Sequence, residues 1–338
     1  MQTDELVLLT KKLYDEYGQK KAMGDSAPAS NLPHFFLLRS FWNELDLLAI
    51  LNTKRCSYQC HFCQLPQKSS RALISSSDII SQFGYILSET KHILSLVGRV
   101  TLSNEGSVLD SKTFPTDALL AIVSSVSQLR LVRTLVCETR LEYLNPDIIQ
   151  EMQQILKKAK IDILTGFETK DVYIRDNFLG KKESIDQFLR GLDVITQVGI
   201  SLTSYVLYKP APMMNDLDAF QEASSTIDFL ASECKKRHIP LGIRINPMYV
   251  AKGSKWERDM STNTENYSPP KLTDVMRLAE EKSKAHGIRI YIGLSTEGIA
   301  DISTTFMARD DYSPKLIRPI KLFNDGKITS FDTNSLEL

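Results

Sequence analysis

The sequence predicts an α/β fold, a partial (β/α)6 TIM-like barrel with an N-terminal helix and a small C-terminal β-hairpin. Short, almost continuously apolar runs alternate with longer stretches whose apolar residues recur at helical spacing. Runs without polar alternation are typical of parallel strands covered on both faces. Repeated strand–helix units imply right-handed crossovers and place a ligand site at the carboxyl ends of the strands.

Seven runs are predicted to be strands because β-branched and aliphatic residues dominate them. They are residues 45–53, 98–104, 131–139, 161–169, 200–208, 241–249 and 288–293.

Helices are predicted between these strands. They occupy residues 78–96, 115–129, 145–160, 183–198, 216–238 and 271–286. Asn145 is a good N-cap, and Pro146 fits the first helical position. Gly199 stands where a helix stop is expected.

The chain ends differ from the repeated units. Residues 1–44 are predicted to be a helical extension, 45–295 the barrel, and 296–338 a cap. Within the cap, Asn324, Asp325 and Gly326 predict the turn of a β-hairpin.

Composition excludes several protein classes. The 338 residues carry 41 basic and 41 acidic side chains, so no global positive field points to nucleic acid. No run approaches the roughly 18 apolar residues of a membrane span. The five cysteines are odd in number and partly clustered, which favours a reducing compartment over a disulfide framework. We therefore expect a soluble, cytoplasmic protein without a membrane partner.

Three cysteines lie within eight residues, directly after the first predicted strand. Cys56, Cys60 and Cys63 have the spacing C-x₃-C-x₂-C. A structural zinc site normally has four ligands, and His61 is the fourth ligand available here. Buried thiols fit poorly with the basic loop. An iron–sulfur cluster fits better, because thiolates are its usual ligands. Cys137 and Cys234 are isolated and are interpreted as packed thiols.

The cysteine spacing, with aromatic Phe62 before the last cysteine, resembles the radical S-adenosylmethionine (SAM) superfamily. The resemblance implies a 4Fe–4S cluster held by Cys56, Cys60 and Cys63, with SAM bound at its open iron. It also implies reductive cleavage of SAM to a 5′-deoxyadenosyl radical, a flavodoxin- or ferredoxin-type electron donor, and Phe62 beside the adenine.

Further motifs extend the resemblance along the predicted strand ends. The segment SNEGSVLD is similar to the Gly-rich turn that contacts the methionyl amine, and ETRLEYL resembles an element of the Elongator-like branch. The chemistry of Glu138 suits an ammonium group and that of Arg140 suits a carboxylate. Glu168 and Asn246 match elements on the ribose and adenine side. The cofactor-binding residues so implied are Phe62, Asn104, Glu105, Gly106, Ser107, Glu138, Arg140, Glu168 and Asn246.

Longer stretches, among them GFETKDVYIRDNFLG and INPMYVAKGSKWER, resemble the archaeosine-forming radical SAM enzymes, which modify tRNA. The balanced charge favours a small-molecule or nucleoside-like substrate, with tRNA as the alternative. A non-catalytic iron–sulfur or zinc-binding scaffold is the third hypothesis. Candidate substrate contacts on the late strands are Tyr205, Lys209, Arg244 and Tyr249.

Overall fold

The fold is described from a computed structural model. It describes residues 29–42, 44–63, 69–104, 106–211, 213–250, 254–261, 268–294 and 313–331. The chain divides into two compact units. The first comprises Met1–Ser57, Leu65–Leu164 and Gln197–Ile200, and the second comprises Tyr58–Gln64, Thr165–Thr196 and Ser201–Leu338.

All seven predicted strands are present, and one further strand precedes them. The strands are β1 (Phe35–Phe41), β2 (Glu44–Leu51), β3 (Arg99–Asn104), β4 (Thr134–Glu138), β5 (Lys160–Glu168), β6 (Ser201–Tyr208), β7 (Leu241–Pro247) and β8 (Arg289–Ile292).

The six predicted helices are also confirmed, with shifted ends. The described helices are α1 (Ser76–Glu89), α2 (Thr116–Ser127), α3 (Pro146–Leu156), α4 (Ile185–Val198), α5 (Asp216–Lys236), α6 (Lys255–Ser261), α7 (Leu272–His286) and α8 (Pro314–Asn324). The Asn145 side chain accepts from the backbone N–H groups of Asp147 and Ile148, as expected of an N-cap. Gly199 adopts a φ of +67° directly after α4.

The first unit is built on parallel strands. β2 pairs with β3, β3 with β4 and β4 with β5, all in parallel. Most of their buried side chains are apolar, and Leu47, Val100 and Leu135 are fully buried. Burying each such side chain contributes about 1.5–3 kcal/mol relative to leaving it exposed. Buried Asp46 and Asp162 are hydrogen-bonded to Thr101 and Arg99 of β3, respectively.

The second unit repeats this arrangement. β6 pairs with β7 and β7 with β8, again in parallel. Helices α5 and α7 pack on these strands and bury the apolar stripes that their sequences predict. The predicted α/β class with parallel strands is therefore confirmed in each unit.

The predicted C-terminal hairpin is wrong. Residues 314–324 form α8, because Leu316, Ile320 and Phe323 recur at helical spacing and are buried. The Asn-Asp-Gly segment ends this helix. The N–H of Gly326 donates to Phe323 O at 2.8 Å, and Gly326 has a φ of +68°. The Asn324 amide bonds both backbone groups of Ile292 on β8, at 2.8 and 2.9 Å.

The N-terminal segment also differs from expectation. The predicted helix near the start of the chain lies outside the described residues. Residues 35–41, assigned to that extension, form β1, which pairs antiparallel with β2. Apolar side chains of β1 such as Phe36 and Leu38 are buried, and this burial stabilises a strand in place of the expected helical structure. Within the described ranges, no helix is long and apolar enough to span a membrane.

Candidate functional site

The cysteine loop, here residues 54–63, follows the carboxyl end of β2. Cys56 lies in the first unit, and Cys60 and Cys63 lie in the second. All three are half-buried, and the N–H of Cys63 donates to Cys60 O at 3.1 Å in a tight turn. None of the five cysteines, all of which are described, forms a disulfide.

The other two cysteines are packed thiols, as predicted. Cys137 and Cys234 are almost fully buried. Burial raises the pKa of each thiol to about 12, so both stay protonated at neutral pH. Protonated, inaccessible thiols are poor metal ligands.

No three His, Cys, Asp or Glu side chains in the described ranges lie close enough together for one metal ion. A mononuclear zinc site needs all of its donors on a single ion. A cubane instead binds each thiolate to a different iron, which spaces the ligands more widely.

The turn after β3 lies against the start of the cysteine loop. A Cβ built on Gly106 would be 3.3 Å from Cys56 Cα and 3.4 Å from its Cβ. The Asn104 side chain shapes this turn, because its Oδ1 accepts from Gly106 N at 3.1 Å and its Nδ2 donates to Thr53 Oγ1 at 3.0 Å. A Cβ at this position would be in tight contact, so glycine suits the close approach. Glu105 lies outside the described residues.

The same turn is bonded to the end of β4. Ser107 Oγ accepts from the N–H of Arg140 at 3.0 Å, and Val108 N donates to Glu138 O at 3.1 Å. The structure thus brings Gly106, Ser107, Glu138 and Arg140 together in the first unit. Arg140 is buried, and its Nε forms an ion pair with Glu142 at 3.1 Å.

In the second unit, Phe62 packs into an apolar cluster. Its ring centroid is 5.9 Å from that of Trp256, and Leu207 and Met248 belong to the same cluster. Trp256 was not predicted as a site residue. Its only sequence signal is its position shortly after the Asn246 motif.

Glu168 is buried at the end of β5 with a φ of +70°. Its carboxylate folds back over Gly166, where an added Cβ would overlap it and would lie 3.3 Å from Lys181 Nζ. Lys181 in turn forms an ion pair with Glu183 at 3.7 Å, and Arg175 pairs with the same carboxylate at 3.0 Å. Glu168 ends β5 and the other three residues lie in the connection between β5 and α4, but sequence reasoning missed this charged network because side-chain pairing within a loop is not readable from spacing.

Three predicted residues of β6 and β7 meet on one face of the sheet. Tyr205 and Arg244 are register partners, and Arg244 pairs in register with Tyr291 of β8. The Arg244 guanidinium lies 5.5 Å from the ring centroid of Tyr205 and 5.2 Å from that of Tyr291. Its Nε donates to Asn246 Oδ1 at 3.2 Å. Tyr291 was missed because strand register is not readable from one sequence.

Tyr249 lies within electrostatic range of both Cys63 and Arg244. Burial raises the pKa of its hydroxyl; the charge of Cys63 raises it further, and that of Arg244 lowers it. The structure therefore associates this predicted substrate contact with the cysteine loop.

Lys209 is only 1% exposed, with a φ of +66°. Its Nζ pairs with Asp216 at 3.2 Å, and Asp216 also pairs with Lys271 at 3.2 Å. A buried lysine directly after β6 that pairs with the first residue of α5 favours a structural role over substrate binding.

No protein-family profile matches the chain. An uncharacterized protein of Methanocaldococcus jannaschii is 25% identical over 283 residues, covering 82% of this chain and 75% of that protein. The archaeosine synthase subunit beta of Methanosarcina acetivorans is 24% identical over 191 residues, which are 55% of this chain and 51% of the subunit. This chain therefore spans about half the length of that curated relative.

Among solved structures, a spore photoproduct lyase variant with bound SAM and dinucleoside spore photoproduct is similar to this chain. It is 12% identical with a TM-score of 0.52, covering 83% of this chain and 93% of the lyase chain. At this identity the likeness shows the fold. The expected α/β fold is thereby confirmed.

Proposed function

We propose that the chain is a radical SAM enzyme that holds a 4Fe–4S cluster through Cys56, Cys60 and Cys63. When bound, the cluster and SAM would supply a 5′-deoxyadenosyl radical that removes a hydrogen atom from substrate, after one electron from a flavodoxin- or ferredoxin-type donor. The observation that carries the proposal is the packing of Gly106 against Cys56. It puts the segment expected to bind the methionyl group beside the first cluster ligand.

The donor set fits this assignment. Cys56, Cys60 and Cys63 are half-buried rather than fully packed, and so differ from Cys137 and Cys234. The bonds from Ser107 and Val108 to the backbone of Arg140 and Glu138 connect the end of β4 to the turn that packs on Cys56. Glu138 and Arg140 would then bind the ammonium and carboxylate of a methionyl group.

Anaerobic reconstitution tests the proposal. We expect about four irons per chain, the stoichiometry of one such cluster, and 5′-deoxyadenosine release from SAM with a chemical reductant. Cys56→Ala, Cys60→Ala and Cys63→Ala should each abolish both. Cys234→Ala, which changes a buried thiol, should retain both. Zinc instead of iron, or an iron cluster without 5′-deoxyadenosine release, would support the scaffold hypothesis. A cluster that survives the triple substitution would overturn the assignment of its three ligands.

The proposed substrate is nucleoside-like, either small or part of tRNA. Support comes from two proteins: a relative named archaeosine synthase subunit beta, and a structure that binds a dinucleoside photoproduct. The shared fold does not carry that specificity, so it remains a proposal.

A structural feature favours tRNA as the second candidate. The amino-terminal edge of β3–β5 carries exposed cations, here called the basic edge: Lys91, Arg130, Arg133, Lys157, Lys158 and Lys160. Backbone bonds join its loops, since Lys160 N donates to Arg133 O and Arg133 N to Gly98 O, both at 2.8 Å.

The charge of the basic edge is poorly neutralised. Within the described part of the chain, only Arg133 among these cations forms an ion pair, with Glu44 at 2.9 Å. The cations at helix ends of the second unit are neutralised, in contrast to those of the basic edge. Lys236, Arg237 and Lys284 each form an ion pair with an acidic residue. The cations of the basic edge suit a phosphate backbone. They lie at the amino-terminal ends of parallel strands, whereas the cysteine loop follows a carboxyl end, so they would bind phosphates at a distance from the reacting base. A titration with total tRNA at low salt distinguishes the two substrate classes.

A further inference from the structure

His61 stands between Cys60 and Cys63, and both of its backbone polar groups are bonded to other segments. Its N–H donates to Leu179 O at 2.8 Å, and its carbonyl accepts from Trp256 N at 3.1 Å. The cysteine loop is thereby attached to the turn after residues 174–178 and to the start of α6.

The imidazole adds two further contacts. Nδ1 lies 3.0 Å from Phe178 O, and Nε2 lies 3.4 Å from Lys255 Nζ. A carbonyl oxygen only accepts, so Nδ1 carries the proton and Nε2 presents its lone pair to the ammonium. Both ring nitrogens are therefore directed at protein groups, which contradicts the hypothesis that His61 is a fourth metal ligand.

Gly180 provides the space for this ring. Its φ is +59°, and a Cβ there would lie 2.6 Å from His61 Nε2 and 2.7 Å from Cδ2. Phe178 O also accepts a hydrogen bond from Trp256 Nε1 at 2.9 Å. The same carbonyl oxygen therefore accepts hydrogen bonds from the side chains of both His61 and Trp256. Residues 60–63, 178–180 and 255–256 converge at this point.

We propose that His61 is a positioning residue that fixes Cys60, Phe62 and Cys63 in a binding-ready arrangement. The inference rests on the proposed function, because it concerns retention of the cluster. Cys60 and Cys63 lie in a turn outside helices and strands, and a cubane needs its thiolates at defined positions. Contacts made before binding reduce the conformational entropy lost on binding.

The same contacts orient Phe62. Trp256, which donates to His61 O, is also the ring beside Phe62 at 5.9 Å. Loss of the His61 contacts should therefore affect SAM affinity as well as cluster retention.

The experiment measures the rate at which an iron chelator removes the cluster from the reconstituted full-length protein. His61→Ala should lose its cluster about ten-fold faster than wild type, the equivalent of roughly 1.4 kcal/mol. His61→Asn should stay near wild type, because its amide nitrogen can replace Nδ1 as donor to Phe178 O. Lys255→Ala should also stay near wild type, because 3.4 Å is a long contact.

Gly180→Ala tests the same idea with the histidine in place. The added methyl group should displace the imidazole and accelerate cluster loss as His61→Ala does. Gly287→Ala is the matched control, because Gly287 has a φ of +64° and open space around it. Both substitutions impose a similar backbone strain, and only Gly180→Ala meets the ring.

The outcomes separate the two proposals. A wild-type protein that binds no cluster overturns the proposed function and the positioning role together. A wild-type cluster with unchanged lifetime in His61→Ala and Gly180→Ala overturns the positioning role alone. Thermal unfolding of the apo variants shows whether they fold; if His61→Ala does not, the comparison of Gly180→Ala with Gly287→Ala decides.

Discussion

Arg244 Nε donates to Asn246 Oδ1 at 3.2 Å, and the rings of Tyr205 and Tyr291 flank its guanidinium. This bond fixes the orientation of the Asn246 side-chain amide. The Asn246 Nδ2 group, which can donate a hydrogen bond, then points away from Arg244. The sequence assigned Arg244 to substrate. The geometry instead favours a role in orienting Asn246, the residue expected to bind the nucleoside part of SAM.

Arg244→Met should therefore weaken SAM binding by about 1 kcal/mol, the typical worth of one hydrogen bond, or roughly five-fold. Calorimetric titration of SAM into the reconstituted protein measures this. Arg277→Met is the control, because exposed Arg277 contacts only Phe220 and Asp274. Unchanged SAM affinity with a raised KM for substrate would restore the original assignment.

Ser107→Ala should destabilise the fold by about 1–3 kcal/mol, because it leaves the buried N–H of Arg140 without its acceptor at 3.0 Å. Denaturant unfolding of the apo protein gives the free energy. Ser124→Ala on the exposed side of α2 should change it by less than about 0.5 kcal/mol. Equal effects of the two substitutions would show that the turn after β3 does not depend on this bond.

Charge reversal on the basic edge tests tRNA binding. A triple variant, with Lys157→Glu, Lys158→Glu and Lys160→Glu, should bind tRNA at least ten-fold more weakly. The slope of log K against log salt concentration should fall by about two to three, because each lysine that contacts a phosphate contributes nearly one to that slope. Fluorescence anisotropy with labelled tRNA over a salt series provides both values.

The control for this triple variant changes the net charge equally. Lys315→Glu, Arg318→Glu and Lys321→Glu lie on the exposed side of α8 and should have a small effect. If both triple variants weaken binding alike, the basic edge is not the docking surface. If wild type binds no tRNA below micromolar concentration, the substrate is small.

Glu222 should make stability depend on pH. Thr169 and Thr226 donate to its carboxylate, but burial outweighs these bonds and raises its pKa above the ordinary value. The folded state then binds the proton more tightly than the unfolded state. Proton binding by Glu222 therefore adds to the free energy of unfolding. This addition is complete below the pKa of Glu in the unfolded state, near 4.3, and is lost as pH rises through the pKa of Glu222 in the folded state.

Glu222→Gln removes this titration, so the substitution should increase the melting temperature at about pH 7.5 more than at about pH 4.5. Thermal unfolding at both pH values is the measurement. Exposed Glu151→Gln on α3 should shift the two melting temperatures equally. A pH-independent difference for Glu222→Gln would contradict the shifted pKa.

Much of the fold followed from local patterns. Continuous apolar runs identified seven strands, because a parallel strand covered on both faces has no polar side. Asn145 and Gly199 marked helix ends through short-range backbone chemistry, which a sequence records directly. The cysteine spacing placed the three proposed cluster ligands in one short loop, and their assignment as ligands stays a prediction.

Long-range contacts decided the rest. Asn-Asp-Gly suits both a hairpin turn and a helix end. The burial of Leu316, Ile320 and Phe323 and the docking of Asn324 on Ile292 together favour the helix. The burial of Lys209 beside Asp216 is set by packing, which its sequence position does not indicate. The contacts of His61 with Phe178 and Trp256 join segments that are far apart in the sequence. The zero net charge concealed the basic edge, because composition sums charges that the fold separates in space.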